Sequence, residues 1–210
     1  MKEIKKDEPL PRHTNLDYSE CYAKIVLEEM FPERFLDMEI WDKPDLQNEQ
    51  LNTCVEVTSS IDQKQLEAES LYVKWGYADD SHKKRIEELI AGCEAELNDG
   101  ILSGKPGYDN FDNICRALEN KLVKLSSGQY KAFNNRYLFI YSDIYSDLAM
   151  REEALKRMQS ISSDFASTFD GIYVLVPGAI YVFDIDNCIT YEKKSIAFNK
   201  IIRHARQEKW

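Results

Sequence analysis

The sequence predicts an α/β fold with a mixed central sheet flanked by helices. Three observations carry that expectation. Arg136–Tyr141 and Gly171–Val176 are dominated by apolar and aromatic residues, as strands covered on both faces are. Stretches with helical periodicity alternate with these runs. The composition, 43% hydrophobic and 30% charged, is globular and supplies a core of ordinary size. A length of 210 residues suits a single domain over 1–210 with one elaborated insertion.

The elements follow in order. Residues 1–14 read as a solvated, flexible tail. Residues 16–30 place Tyr18, Cys21, Tyr22, Ile25, Val26 and Met30 on one helical stripe, capped by Asn15 or Asp17. Pro32 ends that helix, because a proline restricts the residue before it and donates no amide hydrogen bond. Phe35–Trp41 alternates as a strand does, and Asp42-Lys-Pro-Asp45 reads as a turn or an irregular strand edge. Asn52–Thr58 is a second strand, with Cys54 or Val55 inward according to register. From Asp62 the pattern turns helical to about Leu97, and Asn98–Gly107 reads as a loop. Because 62–110 exceeds what one crossover needs, it is expected to be a helical insertion. Asn110–Leu125 is again helical, with Ile114, Ala117, Leu118, Leu122 and Leu125 on one face. Arg136–Tyr141 is a central parallel strand, Leu148–Phe165 an amphipathic helix, and Gly171–Val176 pairs with Ala179–Phe183 as a hairpin. A last helix is expected near Ser195.

Composition also excludes. No run of 18 apolar residues exists, so no helical membrane span is expected, and MKEIKKDEPLPRH lacks the apolar stretch of a secretory signal. A cytoplasmic location follows as the expectation. The five cysteines are scattered without a CxxC pair and there are only three histidines, which argues for buried thiols rather than structural zinc. Phosphate-binding glycine loops, GxSxG and HExxH are missing. The formal charge of −10 opposes indiscriminate binding of nucleic acid. The segment from Tyr191 onward is locally basic, either as a surface for a phosphate backbone or as the wet face of a terminal helix.

Chemistry concentrates in Lys43-Pro-Asp-Leu-Gln47 and Val55-Glu-Val-Thr58. Asp45 and Glu56, on neighbouring strands, have the spacing to hold Mg²⁺ or Mn²⁺ while leaving room for phosphate and water. The bland alternative is that Glu56 points to solvent from a half-exposed strand. Gln47 orients a water, reads a base edge or is merely solvated. Tyr72, Trp75 and Tyr77 either stack on bases or pack the insertion onto the core.

A helix with a glutamate, a strand, PD, then a strand with ExT resembles the core of the PD-(D/E)xK nuclease-like superfamily. The resemblance covers roughly 16–60, and more weakly 110–125 and 136–141. It implies a restriction-endonuclease-like αβββαβ core, a Mg²⁺ or Mn²⁺ cofactor and cleavage of phosphodiester bonds in nucleic acid. Asp45 and Glu56 match the acidic pair of the motif, and Glu20 matches the acidic residue on the first helix. The usual lysine position holds Thr58. In some members the lysine comes from elsewhere, which makes Lys121 and Lys124 the natural candidates, with Lys64 behind them; without one, metal or nucleic acid is bound but not cut. Homodimers are common among such domains.

A rival expectation is an acidic binding or immunity-type module that masks a basic protein partner. It would use a patch formed by Asp79, Asp80, Glu87, Glu88, Glu94 and Glu96.

Overall fold

The computed structural model describes residues 18–103, 111–128 and 131–194. Helix α1 (Tyr18–Met30) runs into Phe31, and Pro32 then opens a four-residue helix, α2 (Pro32–Phe35). Proline suits that first turn, where its missing N–H has no helical acceptor. Phe35 therefore ends a helix rather than starting a strand, and the expected strand shrinks to β1 (Glu39–Ile40). The alternation over Phe35–Trp41 was real, but Phe35 is fully buried among Phe31, Tyr137 and Tyr173. The expected cap residues Asn15 and Asp17 lie outside the described residues, as does the tail.

β2 (Leu46–Asn48) and β3 (Thr53–Ser59) form an antiparallel hairpin, registered Leu46 opposite Val55 and Gln47 opposite Cys54. The long connection after β3 holds α3 (Gln63–Tyr77) and α4 (Asp80–Gly92), capped by Asp62 and Asp79. It also holds a feature the sequence reading missed: β4 (Glu96–Asn98) and β5 (Ile101–Ser103), joined by Asp99-Gly100. Both turn residues have positive φ, 52° and 78°, as a two-residue type I′ hairpin requires. The insertion is thus helical with a hairpin appended, and Asn98–Ser103 is not loop. It has a small core of its own around Ala68, Leu71, Ile90 and Ala95.

α5 (Asp112–Ser126) leads to β6 (Asn135–Tyr141), and α6 (Leu148–Ser163) carries the chain to β7 (Gly171–Val176). β8 (Ala179–Asp184) returns through Pro177-Gly178, with Gly178 at φ +85°, where glycine avoids the clash a side chain would make. β9 (Ile189–Lys194) then pairs with β8, so Tyr191–Lys194 belong to a strand and not to a terminal helix. The helix expected near Ser195 falls outside the described residues.

The result is a seven-stranded mixed sheet in the order β1-β2-β3-β6-β7-β8-β9. β3, β6 and β7 are parallel and the outer pairs antiparallel. β6 sits in the middle, and Leu138, Phe139 and Ile140 are fully buried. One face of the sheet packs on α1 and α2 through Leu46, Val55, Phe139 and Tyr173. The other packs on α5 and α6 through Leu138, Ile140, Ile172 and Val174. Within this frame the segments read α1-α2-β1-β2-β3-α5-β6, with the insertion between β3 and α5. No helix of the described residues is long and apolar enough to cross a membrane.

Candidate functional site

The register of β3 fixes the site. Val55 is buried on the α1 side, and successive strand residues alternate. Glu56 is opposite Leu138 of β6 and shares its face, beneath α5. It is 3% exposed, so the solvent-facing alternative is overturned. A carboxylate buried this deeply needs a charge partner. Lys121, two-thirds of the way along α5, supplies it: its Nζ donates to Glu56 Oε2 at 2.6 Å. The same ammonium lies 3.6 Å from Asp45 Oδ2. α5 delivers this lysine because Lys121 follows Ile114, Ala117 and Leu118 at i+7, i+4 and i+3, on the same helix face that these residues bury against the sheet and α6.

Asp45 sits at the end of the β2–β3 pairing. Its Oδ2 accepts a hydrogen bond from the Val57 amide at 2.7 Å, so the side chain does what a strand carbonyl does one pair earlier. The Asp45 side chain is 20% exposed, against 4% for Glu56 and 13% for Lys121, so the site opens to water on the Asp45 side. Gln47 is buried, and its amide donates to the Pro44 carbonyl at 2.9 Å. It braces the bend that presents Asp45 and is not solvated.

Glu20 lies in the first turn of α1, half-buried, and Tyr141 at the end of β6 donates its hydroxyl to the neighbouring Ser19 carbonyl. Among the described residues, no group of three or more His, Cys, Asp or Glu is arranged to hold a metal ion. The other lysines stay away. Lys124 is exposed, and Lys64 pairs with Glu94 on the insertion.

Two carboxylates around one ammonium leave one net negative charge at an opening to water. Hard oxygen donors, a solvent-facing side and residual negative charge fit Mg²⁺ or Mn²⁺, which are commonly held by one or two carboxylates with water and phosphate completing the shell. Lys121 also has three N–H donors, which exceeds what Glu56 Oε2 takes from it.

One residue escaped the sequence reading. The Trp41 amide donates to the Asp45 carbonyl at 2.9 Å, which carries the β1–β2 pairing one step past Ile40–Leu46. The signal was present in the sequence: Trp41 and Asp45 stand symmetrically about the bend at Asp42–Pro44.

Away from this site, a polar cavity of about 260 Å³ lies at the opposite strand ends, lined among others by Arg34, Asn135, Asp170, Asp184 and Asp186. Arg34 is committed there to Tyr173, donating to its hydroxyl at 2.6 Å. The acidic residues of the insertion are engaged locally. Asp79 caps α4, Asp80 pairs with Lys83, Glu87 accepts from the Trp75 indole, and Glu94 pairs with Lys64. Tyr72 stacks on Trp75 and donates to the Gly100 carbonyl, so both tie α3 to the β4–β5 hairpin, while Tyr77 is exposed. Cys21, Cys54 and Cys115 are buried, and burial pushes the Cys54 thiol up to about 12. No family model, no curated protein and no solved structure matches the chain.

Proposed function

We propose that the protein is a metal-dependent, nuclease-like enzyme that hydrolyses phosphodiester bonds in nucleic acid, a divergent relative of the PD-(D/E)xK superfamily. One observation carries the reading. Lys121, 65 residues beyond Glu56 in sequence, brings its ammonium to Glu56 and beside Asp45. This is the cation whose usual position is taken by Thr58, arriving instead from a helix. Order along the chain supports it too, since with the one-turn α2 and the α3–β5 insertion set aside it runs α1-β1-β2-β3-α5-β6, the succession the resemblance implies.

In this reading Asp45 and Glu56 hold Mg²⁺ or Mn²⁺. When bound, such an ion polarises the phosphoryl oxygen and makes its water more acidic. Glu56 and Asp45 together hold the Lys121 ammonium beside the site. Its remaining N–H donors orient a non-bridging phosphate oxygen and stabilise the charge that builds there. A water oxygen forms the new P–O bond, the ester P–O bond breaks, and the water's protons end on the two products.

The test is a calorimetric titration of Mn²⁺ into the wild type and Glu56→Ala, paired with cleavage of labelled oligonucleotides by the wild type and Lys121→Ala. The reading expects Mn²⁺ binding that Glu56→Ala removes, and cleavage that Lys121→Ala lowers by at least about 100-fold, a typical loss for a charge-stabilising donor. Wild type that binds no Mn²⁺ sinks the enzyme and leaves an inactive nuclease-like fold that binds a basic protein partner.

A further inference from the structure

Trp41 is a large apolar side chain held out in solvent, 59% exposed. Its direction follows from the sheet. Antiparallel partners share a face, and residues two apart on one strand share a face. Glu39 is opposite Gln47, and Gln47 is opposite Cys54. Two residues along each strand stand Trp41, Asp45 and Glu56. Trp41 therefore lies on the face of Glu56 and Asp45, under which Lys121 sits, and the bond from its amide to the Asp45 carbonyl fixes the two residues as cross-strand neighbours. Such Cα atoms are roughly 4.5–5.5 Å apart.

The indole is also held in place. Its Nε1 donates to Glu39 Oε2 at 3.0 Å, on the same face two residues back. An exposed ring would ordinarily sample several rotamers, so this bond lowers the entropy lost when something stacks on it. Lys43, exposed in the same bend, adds a positive charge to the segment that joins Trp41 to Asp45.

We infer that Trp41 is a stacking platform for one unpaired nucleobase next to the phosphate held at Lys121, so that the substrate is single-stranded nucleic acid. A base paired within a duplex has both faces covered by its neighbours and cannot lie flat on the ring. This inference rests on the nucleic-acid reading of the site.

The experiment measures binding of a labelled twelve-residue oligothymidylate, the same oligomer with abasic residues, and a duplex of equal length, at fixed salt in EDTA so that no oligomer is cut. The proteins are the wild type, Trp41→Ala and Trp41→Phe. Expected is tighter binding of oligothymidylate than of duplex or abasic oligomer by the wild type. Trp41→Ala should weaken oligothymidylate roughly 5- to 150-fold, the range of one aromatic–base stack. Trp41→Phe should retain most of the affinity, and abasic binding should not respond to either change. If Trp41→Ala binds oligothymidylate as the wild type does, or loses abasic and normal oligomer alike, the platform is refuted while the nuclease reading stands. If the wild type binds none of the three, the nucleic-acid reading falls and takes this inference with it.

Discussion

Replacing Lys121 by methionine keeps most of the side-chain volume and removes the charge. Glu56 would then be a carboxylate, 3% exposed, with its 2.6 Å ammonium partner gone. Removing one member of a buried pair costs about 3–5 kcal/mol. Because the Asp45 side admits water, the lower end applies, about 3 kcal/mol. For a chain of this size that corresponds to a fall in Tm of roughly 6–12 °C. Glu56→Gln removes the other charge and leaves an amide that still accepts from Lys121, so it should cost less. The double variant has no buried unpaired charge and should recover much of the loss, with a coupling energy of about 2 kcal/mol. Urea titrations of the wild type, both single variants and the double variant give the full cycle. If Lys121→Met costs under about 1 kcal/mol, or costs the same with and without Glu56→Gln, the charge triangle does not organise this site and the argument from burial is wrong.

Further outcomes follow from the same geometry. Besides the loss of Mn²⁺ affinity in Glu56→Ala and the stacking loss in Trp41→Ala, Asp170 makes a pH prediction. Burial, with Asp186 adding to it, raises this carboxyl above its usual range, although the Arg136 amide it accepts from holds it back. The folded state then keeps its proton to higher pH than the unfolded state does. Stability is therefore lost as pH rises from the ordinary carboxylate value, about 3.9, through the raised folded value. Asp170→Asn should flatten that fall, and urea midpoints at pH 4 and pH 6 that shift equally in both proteins would contradict it. In the insertion, Gly100→Ala forces a side chain into φ +78°, while its Cβ meets Trp75 only at an ordinary 3.6 Å. The cost is conformational, about 1–2 kcal/mol, and should appear as faster amide exchange across β4 and β5. Unchanged protection there would mean that the hairpin tolerates the strain.

Much of the fold was legible because it rests on local patterning. Tyr137–Ile140 and Ile172–Val174 are apolar without alternation, which only a doubly covered strand tolerates, and they are β6 and β7. Pro177-Gly178 marked its hairpin for the same reason: proline sets φ and glycine accepts the positive φ that follows. The errors have physical causes as well. Phe35 fitted a strand alternation, yet packing against Tyr137 and Tyr173 decided its backbone. Asp99-Gly100 is a hairpin signal, but its two strands are three residues each and largely exposed, so no apolar alternation separates them from loop. Tyr191–Lys194 carry basic residues that suit a helix face, but the free edge of β8 captured them as β9.

At the site, the sequence by itself determined that Asp45 and Glu56 stand where two adjacent strands meet, since period-two geometry and a short bend leave few alternatives. The resemblance, in turn, named a few lysines as candidate partners for these carboxylates. Only the tertiary structure decided that Glu56 is buried, that Lys121 rather than Lys124 or Lys64 reaches it, and that Trp41 shares its face. The reason is that these facts depend on which face of β3 the α5 helix covers. That choice is made by contacts between residues far apart in the chain, which no local pattern encodes.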